Sequence, residues 1–137
     1  RMAIPAFSPA WADALRQAVN TDAGYRDAAA RWTNPVALVV EPGAGVADGA
    51  AVQVDLAAGT CHGAESITPE QVTATFVLSA GLENWKKILD GDADPIAAVA
   101  RGDVRLTRGS LSTLMLNSRG AKALLACARQ IPTVWPG

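Results

Sequence analysis

The sequence has little charge and no long hydrophobic run, and each shortage argues against a class of function. Of its 137 residues, twelve are Lys or Arg and thirteen are Asp or Glu, for a formal net charge of -1. The cations are spread along the chain and form no basic stripe that would neutralise phosphates, which disfavours nucleic-acid binding. No apolar run approaches the roughly 20 residues needed to span a bilayer.

Cysteine and histidine are also scarce. The two cysteines, Cys61 and Cys127, lie far apart. We expect free thiols, because a domain of this size folds without a disulfide. The N-terminus lacks the basic-then-apolar layout of a secretory signal, so a cytoplasmic location is expected.

No pattern predicts a metal or a cofactor. The only histidine, His62, follows Cys61 on a predicted strand, where neighbouring side chains point to opposite faces and cannot share one metal ion. Three alternating acids have the spacing of the first ligands of a calcium loop: Asp90, Asp92 and Asp94. Pro95 stands where that loop requires glycine, so the calcium interpretation fails.

What the sequence does have is a regular hydrophobic pattern, since half of its residues are hydrophobic. The continuous run at residues 36–40 is typical of a strand covered on both faces, and it is the predicted central strand. Residues 50–56 alternate and form a predicted hairpin with it. Further strands are predicted at residues 60–65 and 72–78.

Helices are predicted from capping residues and from three- and four-residue apolar spacing. Ser8 and Pro9 predict the start of a first helix, and residues 22–31 a short second one. Leu82 to Leu89 form the apolar stripe of a third, and residues 121–130 make the last. Two prolines exclude a helix in the apolar tail after Ile131.

The most informative stretch runs from Asp90 to Gly109. Asp94 and Pro95 predict a helix start, and Ile96, Val99 and Ala100 its apolar face. Gly102 predicts its end, a strand of alternating residues follows, and a second glycine precedes the apolar segment 111–116. The whole pattern predicts one α+β domain over residues 1–137, with a single mixed sheet of about five strands covered by helices mainly on one face.

The order of these features resembles the sterol carrier protein type 2 family of lipid-binding domains. The residues that carry the resemblance are Gly91, Asp94-Pro95, Ala97, Gly102, Val104 to Thr107, Gly109 and Leu111 to Leu116, with the upstream strand Val52 to Leu56 and Gly59. Two positions depart from the family pattern: Val52 stands where Trp is frequent, and Ser110 where Asn or Asp is usual.

The resemblance implies an apolar tunnel between the sheet and the C-terminal helices. The candidate ligand-binding residues are the apolar side chains expected there: Phe76, Leu78, Trp85, Leu89, Ile96, Val99, Leu106, Leu111, Leu114, Met115, Leu124 and Leu125. The implied function is binding and carriage of a fatty acid, a fatty acyl thioester or a sterol-like lipid. A transient membrane contact fits this role, and no cofactor is expected.

Two alternatives stay open at the level of the sequence. One is an enzyme that acts on an apolar substrate in the same cavity, with Asp55, Glu70 or His62 as acid or base. The other is a protein-interaction module whose apolar tail docks on a partner. A carboxylate that faces the cavity with a raised pKa would favour the enzyme.

Overall fold

The computed structural model describes residues 2–91 and 93–137. Arg1 and Asp92, the second of the three alternating acids, lie outside the described residues. The elements in chain order are β1 (Ile4–Pro5), α1 (Pro9–Thr21), α2 (Ala23–Ala28), β2 (Val36–Val40), β3 (Ala50–Ala57), β4 (Thr60–Ile67), a 3-10 turn (Pro69–Gln71), β5 (Phe76–Ala80), α3 (Leu82–Leu89), α4 (Pro95–Arg101), β6 (Arg105–Arg108), α5 (Leu111–Leu116), α6 (Ser118–Arg129) and β7 (Thr133–Val134).

The main sheet has five strands in the order β4-β3-β2-β5-β6. Strand β2 lies at its centre and is buried at all five residues, as its continuous apolar run predicts. It pairs with β3 antiparallel and with β5 parallel, so the sheet is mixed. The predicted α+β class is therefore confirmed.

The six helices cover one face of this sheet and enclose the main core. Its largest fully buried side chains include Trp11, Leu15, Tyr25, Leu38 and Trp85. A smaller cluster on the other face contains Ala37, Val39, Ala51, Ala74 and Val77. The connection between β4 and β5 covers this second cluster.

That connection corrects one strand prediction. The strand was expected over residues 72–78 but begins at Phe76. The backbone N–H groups of Thr73 and Ala74 donate to the Gln53 side chain at 2.9 and 2.8 Å, so a side chain takes the place of a neighbouring strand. Val72 and Ala74 pack on the outer cluster, whereas Phe76 belongs to the main core, so the residues before β5 lie on the other face of the sheet.

Helix α2 is shorter than predicted, and α6 is longer. The expected helix over 22–31 ends at Ala28, because the chain must turn to bring Trp32 into the core. The Trp32 indole N–H donates to the carbonyl of Asn34 at 2.7 Å and fixes this turn. Helix α6 begins at Ser118, three residues before the predicted start.

The stretch from Asp94 to Gly109 folds as predicted in most respects. The Asp94 side chain accepts a hydrogen bond from Ile96 N at 2.9 Å, and Gly102 ends α4 at a φ of 82°. Gly109 has a φ of 104°, and a Cβ there would lie 2.7 Å from the Phe76 ring. One detail was wrong: Ala98 is the buried alanine of α4, and Ala100 is exposed.

The two ends of the chain meet in a feature that was not predicted. Strands β1 and β7 pair in parallel as a two-stranded sheet. The Trp11 indole N–H donates to the Thr133 hydroxyl at 3.0 Å and joins this pair to α1. The apolar tail is thus part of the fold and contains no helix.

Candidate ligand-binding site

An apolar cavity lies between the sheet and the helices α2 to α6. Its volume is about 50 Å³. The lining side chains come from strands β2, β3 and β5, from all five of these helices and from the segments beside them: Tyr25, Ala28, Ala29, Trp32, Val36, Leu56, Phe76, Leu78, Trp85, Ile88, Pro95, Ile96, Val99, Val104, Leu114, Asn117, Gly120, Ala121, Leu124 and Leu125.

Eight of the twelve candidate residues line this cavity. They are Phe76, Leu78, Trp85, Ile96, Val99, Leu114, Leu124 and Leu125. Leu89 is buried in the core beside it, and Leu106 packs against the core from β6. Leu111 and Met115 lie on α5 with about half of their surface exposed and are not part of the lining.

Sequence reasoning missed the wall made by α2 and its neighbours. Tyr25, Ala28, Ala29 and Trp32 line the cavity but precede every predicted site residue. The available signal was Gly120, the single glycine inside the last helix. A Cβ at that position would lie 3.4 Å from the carbonyl oxygen of Ala28, so glycine lets α6 approach α2 closely.

Few polar groups accompany this apolar lining. The Trp85 indole N–H donates to the carbonyl of Val39 at 2.8 Å, and the Trp32 indole is bonded to Asn34, so neither is free for a ligand. The Asn117 amide N–H donates to the Thr113 carbonyl of its own helix at 2.8 Å. Burial raises the pKa of Tyr25, which therefore stays a neutral phenol at physiological pH.

No charged side chain lines the cavity in the part of the chain that the structure describes. Asp55 borders an open groove on the opposite face of the sheet, beside Gln53 and Glu65. Glu70 and His62 are exposed. Cys61 is buried while its neighbour His62 faces solvent, so the two residues point to opposite faces as the strand geometry predicts.

Helices α4 and α5 form one wall of the cavity, called its roof below, and they bury few residues. Helix α4 buries only Ala98 and α5 only Leu114, whereas α1 buries four residues and α6 five. Glycines in the left-handed region, Gly102 and Gly109, stand at both ends of the segment that joins these two helices. Little apolar burial thus holds the roof against the rest of the fold.

Other kinds of site find no support among residues 2–91 and 93–137. Within them, no group of three His, Cys, Asp or Glu side chains could hold a metal ion. Both cysteines are buried free thiols. The described helices include none that is long and apolar enough to cross a bilayer.

Comparison with solved structures decides the family. A crystal structure of sterol carrier protein 2 is 35% identical, with a TM-score of 0.88, over 92% of this chain and 98% of that one. The chain belongs to the sterol carrier protein 2 family. The solution structure of a conserved hypothetical protein from Thermus thermophilus is 32% identical with a TM-score of 0.87, over 98% of this chain and 94% of that one.

More distant members of the sterol carrier protein 2 family share the fold alone. The protein from Yarrowia lipolytica is 10% identical with a TM-score of 0.56, over 85% of this chain and 88% of that one. No family model and no curated protein matches the sequence. Ser110, which stands where Asn or Asp is usual in the family, caps the start of α5. Its hydroxyl accepts a hydrogen bond from Thr113 N at 3.3 Å.

Proposed function

We propose that this chain binds and carries a hydrophobic small molecule, such as a fatty acid, a fatty acyl thioester or a sterol-like lipid, in the cavity between the sheet and the C-terminal helices. The observation that carries the proposal is a lining of twenty residues, none of them charged, in a member of the sterol carrier protein 2 family. We further propose that residues 1–137 act as one domain.

The chemistry of the lining narrows the ligand. Burying an ionised group without a partner is very costly, and the cavity offers none. The carboxylate of a fatty acid therefore stays at the mouth, while the hydrocarbon part goes inside. Each methylene removed from water contributes about 0.8 kcal/mol, so a long acyl chain gains on the order of 10 kcal/mol before the entropy of binding is subtracted.

The size of the cavity requires the roof to move. An apolar cavity that binds benzene measures about 150 Å³, and this one measures about 50 Å³. A long acyl chain fits only if α4 and α5 shift outward. Each of these two helices buries a single residue, Ala98 or Leu114, so few apolar contacts oppose the shift.

The proposal is tested by filling the cavity. Ala121 lines it, whereas Ala126 lies on the same helix and is exposed. We expect Ala121→Leu to weaken the binding of a fluorescent fatty acid to the delipidated protein by at least about tenfold, because the added carbons occupy the space of the ligand. Ala126→Leu, the same change outside the cavity, should bind like the wild type.

Two results would contradict the proposal. One is a wild-type protein that binds no apolar ligand at micromolar concentrations, by displacement or by native mass spectrometry. The other is an equal loss in Ala121→Leu and Ala126→Leu, which would place the site elsewhere.

A further inference from the structure

Tyr25 differs from the other polar side chains of the cavity wall, because its hydroxyl has no hydrogen-bond partner among residues 2–91 and 93–137. Four of the twenty lining residues carry a polar atom in the side chain: Tyr25, Trp32, Trp85 and Asn117. The last three each donate to a backbone carbonyl, at 2.7, 2.8 and 2.8 Å. The backbone N–H of Tyr25 donates to the Asp22 carboxylate at 2.8 Å, which leaves the hydroxyl unused.

A buried hydroxyl without a partner is unusual. Tyrosine hydroxyls that are removed from water normally form a hydrogen bond, and leaving one unpaired is destabilising. Within the described residues, the one side-chain N or O atom that is both fully enclosed and without a partner is Nε1 of Trp135, so the Tyr25 hydroxyl reaches open space. Tyr25 is only 2% exposed and lines the cavity, so this space is the cavity.

The exposure of the lining residues indicates where the cavity opens. Most of the lining is buried. The half-buried lining residues lie on α4, at the end of α2 and around the start of α6: Ala28, Pro95, Ile96, Val99, Asn117 and Ala121. The mouth of the cavity is therefore between these three helices.

Tyr25 lies further inside than this mouth. Ala28, at the end of α2, lies beside Gly120 near the start of α6. The Asp22 carboxylate, at the other end of α2, accepts from the Gln130 side chain just after α6. The two helices are therefore antiparallel, and Tyr25, about 4.5 Å from Ala28 along the axis of α2, is on the closed side of the cavity.

The chemistry of the Tyr25 hydroxyl limits what it can bind. No charged side chain of the described residues lines the cavity, and the buried phenol is neutral, so an ionised group at this depth would lose its hydration without a counter-charge. A neutral phenol donates one hydrogen bond and can accept another. The suitable partner is an uncharged oxygen.

We propose that Tyr25 selects ligands that bring an uncharged oxygen, of an alcohol or a ketone, to the closed side of the cavity. This inference deepens the proposed function and rests on it, because it names the lipid that the cavity prefers. A sterol-like lipid that enters with its ring hydroxyl first supplies such an oxygen. A saturated fatty acid that enters with its methyl end first leaves the Tyr25 hydroxyl unpaired, and a site with an unpaired polar group discriminates against such a ligand.

Paired ligands test this selection. Octanoic, decanoic and dodecanoic acid are compared with their ω-hydroxy counterparts in binding to the delipidated protein, so that each pair differs only at the buried end. At the chain length that reaches Tyr25, we expect Tyr25→Phe to bind the hydroxy acid about tenfold more weakly than the wild type does. The same variant should bind the methyl-terminated acids as well as the wild type or slightly better.

A control and a second measurement keep this test specific. Thr21→Val removes an exposed hydroxyl at the end of α1, outside the cavity, and should bind every ligand like the wild type. Tyr25 is the only tyrosine of the sequence, so tyrosine labelled with ¹³C at Cζ gives one NMR signal. The hydroxy acid should shift this signal, through its hydrogen bond to the phenol, more than the methyl-terminated acid of equal length.

The stability of the variant separates a selecting hydroxyl from a structural one. Tyr25→Phe keeps the ring and removes a hydroxyl without a partner, so its Tm should equal or exceed that of the wild type. A Tm that falls by several degrees would show that the hydroxyl bonds within the fold, and the inference would be wrong.

The two proposals can fail separately. If Tyr25→Phe binds both members of every pair like the wild type, Tyr25 selects nothing and the carrier function stands. If the wild type binds none of the acids, with or without the ω-hydroxyl, the carrier function fails and this inference fails with it.

Discussion

At the scale of single residues, three buried groups make the stability of this protein fall in the alkaline pH range: Cys127, Cys61 and Tyr25. Burial, together with the charge of the nearby Asp22 carboxylate, raises the pKa of the Cys127 thiol to about 12. Burial raises the pKa of the Cys61 thiol and of Tyr25 as well. A group whose pKa is raised in the folded state stabilises the fold fully at a pH below its pKa in the unfolded chain, which is near 9 for a thiol. This stabilisation is lost as the pH rises from that value toward the pKa in the folded state.

We therefore expect the free energy of unfolding to fall between about pH 9 and pH 12, by at most about 1.4 kcal/mol per pH unit for each group. Cys127→Ala should show a shallower loss than the wild type, because one of the three groups is gone. Urea unfolding from pH 8 to pH 11 measures this difference. Identical slopes in the two proteins would show that Cys127 does not titrate with unfolding.

The residues of the candidate site show where a sequence pattern stops being informative. Leu124 and Leu125 could be placed by the apolar stripe of a twelve-residue helix. Helix α5 has apolar residues at four of its six positions, so periodicity cannot tell which side faces inward. Leu114 faces the cavity, while Leu111 and Met115 were expected there and lie half exposed outside it.

At the scale of elements, the sequence predicts helix starts better than the path of connections. Ser8 and Asp94 were identified as caps from local chemistry alone, and both accept the expected backbone hydrogen bond. The segment before β5 was assigned to a strand because it alternates. Its backbone N–H groups instead donate to the side chain of Gln53, about twenty residues earlier. A contact between residues so far apart cannot be predicted from a local pattern.

The pairing of β1 with β7 is non-local in the same way. It joins Ile4 to Thr133 across almost the whole chain. Each strand has only two residues, too few for an alternating pattern. Contacts of this kind are decided by the packing of the finished core.

Helices α4 and α5 should be less protected from hydrogen exchange than the well-buried helices of the fold. Helices α4 and α5 bury one residue each, and local opening is cheapest where few apolar contacts are lost. We expect their backbone amides to exchange with deuterium well before those of α1, which buries Trp11, Ala12, Leu15 and Val19.

Hydrogen exchange followed by mass spectrometry measures this order. A bound fatty acid should change exchange in α4 and α5 and leave that of α1 nearly unchanged. Roof amides protected as strongly as those of α1 would mean that α4 and α5 do not open, and the small cavity would then admit no acyl chain.

At the scale of the whole molecule, charge and apolar surface are distributed in a way that composition hides. A formal net charge of -1 with scattered cations disfavours a basic binding surface. In the fold, three of the cations of the acid-free part 104–137 pair with acids from the rest of the chain: Arg105 with Glu41, Arg119 with Asp27 and Lys122 with Asp94. These ion pairs offset much of the charge asymmetry of the sequence, while α5 still exposes Leu111, Met115 and Leu116.

The length of the enclosed apolar path is a property of the whole fold, and a series of fatty acids measures it. Each further methylene that enters the cavity should tighten binding about fourfold, from about 0.8 kcal/mol of transfer free energy. Methylenes beyond the mouth stay in water and add nothing, so affinity should rise with chain length and then level off. At a ligand concentration of 100 times Kd, the bound ligand adds about 2.7 kcal/mol to the free energy of unfolding, which raises the Tm of a 137-residue chain by about 9 °C.

Thermal unfolding of the delipidated protein with fatty acids of increasing length gives this curve. Ala121→Leu should level off at a shorter chain than the wild type, because the leucine side chain takes up part of the path, while Ala126→Leu should follow the wild type. A Tm that rises equally with every ligand length in all three proteins would indicate adsorption on the outer surface. The fatty-acid length at which the Tm stops rising then measures how far α4 and α5 move outward to admit the ligand.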